Sequence, residues 1–309
     1  MPTARRTPAR LSLTLGLLGL VPATVALGGA AVGSTTPAAA ASTTLPSNTG
    51  AGAKYVPVPG KIIAITRPLA NGTLWALVGA RGKRAVYQYN ANTGTYVGAE
   101  LVSPNADTVA LSPSGATLAL GTTGGAYPAV VWYSAQTGRF ANASRSPAPV
   151  TLVATNTAGT GIFAVRAPKT GTESVFAFGT FNGLGYSFAV PGTTVGLAPT
   201  PDQKRLLVLQ SNGQLGSVGV PVGTYIPGVS TGAPALGMAL SADGATLFVL
   251  RGPVGHNAVA EVDVATGRVI ETIPVSGNCV SIALSTDGHT LYEALRGKNA
   301  SSIRPVTVP

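Results

Sequence analysis

Residues 261–295 read EVDVATGRVIETIPVSGNCVSIALSTDGHTLYEAL, and this stretch decides the fold. ATG at 265–267 and TDG at 286–288 are turns, because Thr, Asp and Gly supply the positive-φ positions and side-chain hydrogen bonds with which a chain reverses between strands. The runs between them are apolar and β-branched, too short for helices and without a helical period. The segment reads strand, turn, strand, loop, strand, turn, strand.

Working outward, the same unit recurs along residues 54–309. One anchor is a strand pair about a turn, as in TVALSPSGATLALG, GMALSADGATLFVLRG and SIALSTDGHTLYEALRG. Its turn positions are Gly72, Gly115, Gly159, Gln203, Gly244 and Gly288, spaced by 43, 44, 44, 41 and 44 residues. The second anchor, a strand and a turn closing on glycine, falls at Gly94, Gly138, Gly183, Gly223 and Gly267, spaced by 44, 45, 40 and 44. Four strands in about 40 to 45 residues is the period of a β-propeller blade. Helical repeats do not fit, since glycine and β-branched residues fill every unit.

The ends give the blade count. The chain stops after the strand SIRPVTV, one strand short of a complete last blade, and YVPVPG (Tyr55 to Gly60) precedes the first repeat with no blade of its own. Pairing that strand with residues 302–308 would close the ring and hide two sheet edges. The expectation is an all-β propeller of six four-stranded blades closed by the N-terminal strand, with seven blades as the alternative.

Residues 261–295 resemble the YVTN repeat of β-propeller proteins, which pairs a D-x-ATG turn, an I-P-V-G-like strand end and an S-x-DG turn. The likeness extends to residues 235–251 and 107–140 and fades over 150–230. The resemblance implies a propeller, commonly of seven blades, and implies little about activity, because the family holds binding proteins, enzymes and uncharacterised members.

Composition agrees with many short strands and tight turns: of 309 residues, 40 are Gly and 24 Pro, 45% are hydrophobic and 10% charged. The N-terminus carries Arg5, Arg6 and Arg10, then an apolar run from Leu11 to Val21, then PAAAAS at 37–42. That is the pattern of a signal peptide. Residues 1–41 are therefore expected to be removed, 42–53 to serve as a linker, and 54–309 to form the propeller, in a secreted or cell-wall-associated protein with no stable membrane insertion after cleavage. An uncleaved anchor is the alternative. Losing three arginines leaves 17 Lys and Arg against 10 Asp and Glu, a balance of +7. Cys279 is the only cysteine, which excludes an intramolecular disulfide and a multi-cysteine metal site.

Little chemistry is written in the strands expected to line the channel, IIAIT, TVALS, TLVAT, TVGLA, GMALS and VSIAL; only Asp107 lies beside one of them. A propeller hydrolase or lactonase needs carboxylates or histidines converging on an ion. His256 and His289 fall in loops expected on opposite faces, Asp243 and Asp287 read as turn formers, and Cys279 has no neighbouring base to activate it. The aromatic residues Trp75, Trp132, Tyr87, Tyr89, Tyr133, Phe176 and Phe178 lie on repeated strands and are expected to pack between blades. No nucleotide-binding fingerprint occurs, and basic residues are too sparse for nucleic acid. No catalytic residue, metal or cofactor is assigned.

One pattern recurs in the loop after the second strand, where Arg81, Arg166, Arg251 and Arg296 punctuate four blades. Equivalent loops of a propeller emerge on one face, so these arginines predict a broken basic ring. The functional expectation is a monomeric, non-enzymatic binding module whose basic loop face engages an extracellular protein or an anionic wall polymer. The alternatives are a propeller-type lyase, lactonase or hydrolase, and a rigid scaffold.

Overall fold

A computed structural model describes residues 55–80, 82–101, 105–124, 129–146, 148–156, 161–166, 172–179, 183–220, 223–253, 256–275, 277–298 and 300–308. The segments 1–41 and 42–53 lie outside the described residues. After β1 (Val56–Val58), blade 1 is β2 (Ile62–Ile65), β3 (Thr73–Ala80), β4 (Lys83–Asn90) and β5 (Thr95–Leu101). Blade 2 is β6 (Ala106–Leu111), β7 (Thr117–Thr122), β8 (Ala129–Ser134) and β9 (Phe140–Arg145). Blade 3 is β10 (Val150–Thr155), β11 (Gly161–Arg166), β12 (Thr172–Gly179) and β13 (Gly183–Pro191). Blade 4 is β14 (Thr194–Pro199), β15 (Arg205–Gln210), β16 (Gln214–Gly219) and β17 (Tyr225–Ser230). Blade 5 is β18 (Ala235–Leu240), β19 (Thr246–Arg251), β20 (Ala258–Asp263) and β21 (Val269–Pro274). Blade 6 is β22 (Cys279–Leu284), β23 (Thr290–Arg296) and β24 (Ser301–Thr307), completed by β1 on its outer edge.

The chain is thus a six-bladed propeller of antiparallel sheets, and the ring closes through its N-terminal strand. β1 meets β24 at Val56↔Ile303, Pro57↔Ser302 and Val58↔Ser301, a shorter contact than pairing along residues 302–308. Each inner strand abuts the next, from β2 through β6, β10, β14, β18 and β22 back to β2.

Packing explains why the blades stack. Six apolar clusters fill the six blade boundaries; between blades 4 and 5, for example, Leu207 and Leu209 meet Leu247 and Val249. Trp75 fills the boundary of blades 1 and 2, and Trp132 that of blades 2 and 3. A buried leucine contributes about 1.5 to 3 kcal/mol relative to exposure, so each boundary is held by apolar burial, as the recurring aromatic and aliphatic positions predict. Between blades 5 and 6 this burial includes Glu293, whose side chain is wholly buried and accepts from Arg304 Nε at 2.8 Å.

Antiparallel strands alternate in direction, so the first-to-second and third-to-fourth strand turns share one face, the turn face. The remaining connections share the other, the loop face. Within the turns, Gly244 takes φ 76°, and Gln203 takes φ 58° at the corresponding place in blade 4, a left-handed conformation that costs a side-chain-bearing residue about 1 to 2 kcal/mol.

Two irregularities recur with the repeat. Every inner strand bulges near its start, inserting Ile63, Asp107, Thr151, Val195, Leu236 or Val280. The outer strands of blades 1 to 5 bulge as well, inserting Val97, Ala141, Gly185, Gly228 or Ile270.

Candidate functional site

A bulge leaves one residue outside the ladder and re-aims its side chain. The six inner-strand bulge residues accordingly surround the loop-side mouth of the channel, a cavity of about 350 Å³. Among them Asp107 alone carries a charge. One of its oxygens accepts from the Arg84 guanidinium and the other from the Thr123 hydroxyl, while Arg84 also donates to the Ala106 carbonyl. Asp107 therefore fastens blade 2 to blade 1, with both oxygens engaged by protein donors.

The same device recurs around the loop face, where side chains of one blade hold main-chain groups at the entry to an inner strand. Arg296 Nε and Nη2 donate to the Ile62 carbonyl at 3.0 and 2.6 Å, crossing from blade 6 to blade 1. Ser301 Oγ accepts from the Ile62 N–H at 3.1 Å. Glu173 Oε2 accepts from the Thr194 N–H at 2.6 Å, joining blade 3 to blade 4. Arg251 Nη1 donates to the Thr231 carbonyl at 2.5 Å, and Nη2 to Thr272 Oγ1 at 2.7 Å; Gln210 donates to the Pro191 carbonyl. A buried N–H or C=O left without a partner costs about 1 to 3 kcal/mol, so these side chains satisfy main-chain groups at the strand entries and blade junctions.

Of the four arginines singled out in the sequence, Arg166 and Arg251 hold the same register position, opposite Val150 and Ala235. Arg296 lies one residue past Leu295, which faces Cys279, and Arg81 lies three past Val78, which faces Ile62. Arg81 and the Arg166 side chain fall outside the described residues. The Arg251 and Arg296 guanidinium groups are occupied by carbonyls and a hydroxyl, and no carboxylate among the described residues pairs with either. Sequence reasoning counts Arg84 among the basic loop residues but misses its pairing with Asp107, and it misses Glu173, Gln210 and Ser301, whose partners lie across a blade junction and leave no local motif.

The remaining candidates separate. His256 stands in a loop-face connection of blade 5 and His289 in a turn of blade 6, on opposite faces. Among the described residues, no three His, Cys, Asp or Glu side chains are placed to hold a metal ion. Cys279 is buried, its Sγ donates to the Ser281 carbonyl at 3.3 Å, and burial, reinforced by Glu293, pushes its thiol up to about 12. It is a packed residue and not a nucleophile at neutral pH.

No family model and no curated protein sequence matches the chain. Solved structures similar to it include the hydrazine synthase of Kuenenia stuttgartiensis, at 14% identity and TM-score 0.62, covering 80% of this chain and 83% of that one. A second is the Cps50 (Swd1) β-propeller domain of Myceliophteria thermophila, at 12% identity and TM-score 0.59, covering 81% of this chain and 98% of that one. At such identities the likeness establishes the propeller fold and nothing of the chemistry.

Proposed function

We propose that this propeller is an exported, non-enzymatic interaction module that presents its loop face to an anionic partner, an acidic wall glycopolymer or an acidic protein surface. The observation that carries the reading is the unequal charge of the two faces. On the loop face, Lys61, Lys83, Lys298, Arg251 and Arg296 form no ion pair among the described residues. The described carboxylates on that side are already used, Asp107 by Arg84 and Thr123, and Glu173 by the Thr194 amide. On the turn face, Arg139, Lys204, Arg205 and Arg268 share the surface with Asp202, Asp243, Asp263 and Asp287. A surface of one sign attracts a polyanion at long range and orients it. The basic N-terminal start with its alanine site supports export, and the YVTN-like turns support kinship with exported propellers.

The test separates charge from fold by avoiding the arginines that hold main-chain carbonyls. Lys61, Lys83 and Lys298 are exposed, and a Lys61→Gln, Lys83→Gln, Lys298→Gln variant should keep the wild-type melting temperature. With polygalacturonate as the probe, each exposed contact is worth about 0 to 1 kcal/mol, so the variant should bind several-fold to about a hundredfold more weakly. The loss should be steepest at low salt, since exposed charges are screened beyond about 8 Å at physiological ionic strength. Equal affinities, or no binding by either protein, would remove the anionic partner from the reading.

A further inference from the structure

The opposite end of the channel holds a cation of a different kind, Arg67. Arg67 follows β2 at the inner-strand position that Leu111, Thr155, Pro199, Leu240 and Leu284 hold in the other five blades, each the last paired residue before its turn. The backbone there is fixed from both sides. Thr66 donates its N–H to the Trp75 carbonyl at 2.9 Å and accepts the Trp75 N–H on Oγ1 at 3.0 Å. Pro68, which is buried, follows and confines Arg67 to extended conformations.

Arg67 is half-buried and lines the turn-side cavity of the channel, about 230 Å³, alongside Leu111, Leu240, Leu284 and Pro199. Among the described residues it has no hydrogen bond and no ion pair. The turn-face carboxylates Asp202, Asp243 and Asp287 do not line this cavity and accept instead from Thr200, Ser241 and Ser285. Burial alone lowers the Arg67 guanidinium below its ordinary value. Because arginine does not give up its proton in proteins, this partly desolvated charge would gain from an anion drawn into the cavity.

We propose that the turn-side mouth of the channel binds a small monocarboxylate with an apolar body, its carboxylate paired with Arg67 and its body against the leucine and proline wall. One guanidinium matches one planar carboxylate through two parallel hydrogen bonds, whereas a phosphate dianion would bring a second charge into a half-apolar cavity whose described lining holds no second cation. The site lies on the face opposite the lysines and stands or falls independently of the polyanion reading.

Hexanoate, hexanol and inorganic phosphate serve as probes, with calorimetry and ligand-observed NMR on the full propeller. Hexanoate should bind at least about tenfold more tightly than the other two, and Arg67→Gln should weaken it about tenfold or more, as expected for loss of a charge-assisted pair. Arg67→Lys should fall between. Arg67→Gln should melt at or above the wild-type temperature, because it removes an unpartnered cation. A second variant, Ala110→Leu, narrows the same cavity and should weaken hexanoate with Arg67 intact, while the triple lysine variant should bind it normally. Equal binding of hexanoate by wild type and Arg67→Gln, equal binding of hexanoate and hexanol, or a preference for phosphate would overturn the assignment. A melting temperature lowered by Arg67→Gln, with hexanoate leaving the wild type unshifted, would make Arg67 a structural residue instead.

Discussion

The turn-face aspartates and the junction side chains of the loop face work over very different distances, although Thr155 and Asn156 also reach across blades on the turn face, to the Leu111 carbonyl and to Gln203. On the turn face, Asp202, Asp243 and Asp287 accept from Thr200, Ser241 and Ser285, and Asp263 from Thr266, two or three residues away. On the loop face, Glu173, Arg296 and Ser301 reach main-chain groups separated by 21, 234 and 239 residues. A turn of the first kind can form in an isolated hairpin. A contact of the second kind exists only once neighbouring blades have docked, so loss of a junction side chain should be felt by the ring and loss of a turn aspartate by one hairpin.

The comparison is most severely tested at the closure. Deleting residues through Gly60 removes Val56 and Val58, which are 1% and 2% exposed, and leaves the β24 edge unpaired. Two buried valines are worth about 3 to 6 kcal/mol, against about 5 to 15 for a whole domain. The truncated chain should aggregate or melt far below a chain trimmed only to residue 53. Similar melts for both would show that closure does not hold the ring.

Glu173→Ala should cost about 1 to 3 kcal/mol in denaturant unfolding, because the Thr194 N–H loses its acceptor in a buried site. Glu173→Gln, which retains a carbonyl oxygen there, should recover most of that. If the two variants unfold alike, the amide contact is not what joins blades 3 and 4.

Acid should act on the turn face more gently. Hydrogen bonds from the turn hydroxyls are the leading cause that holds the Asp202, Asp243, Asp263 and Asp287 carboxyls below the ordinary range. A carboxyl depressed in the folded state adds stability above its unfolded value, about 3.9, and that stability is lost as pH falls through the folded one. Melts of wild type and Asp243→Asn should differ slightly at pH 6 and converge near pH 2. A gap that widens in acid would reverse the sign and reject the turn-capping role.

The smallest expected signal concerns Cys279. With its thiol at about 12, a disulfide reagent at pH 8 should label it no faster than the ring opens. Rapid labelling of native protein would mean that the boundary of blades 5 and 6 breathes open locally.

The division between faces also accounts for what could be read beforehand. The turn residues, the six-blade count, the closing strand and the channel strands follow from local chemistry repeated at a fixed period, and Gln203 could be placed at a glycine position by spacing alone. The inner bulges could not, because Asp107 or Leu236 looks like any other strand residue until the partner register is known. Arg251 and Arg296 were assigned to the correct face by counting turns, but their carbonyl partners belong to chain segments that only the closed ring brings near. Arg67 carries no signal beyond its place after IIAIT; its importance comes from having no counter-charge among the described residues.

The kinked outer strands set a limit on how copies of the ring can meet. In blades 1 to 5 an extra residue interrupts the outermost strand, and in blade 6 that strand is three residues long with Pro57, which has no N–H, at its centre. Among the described residues each outer edge is therefore shortened or kinked, which limits the run of free amides and carbonyls onto which another sheet could zip. Edge-to-edge growth of copies into a continuous ribbon is thereby discouraged, and a contact at the rim would be made by side chains in place of added strands.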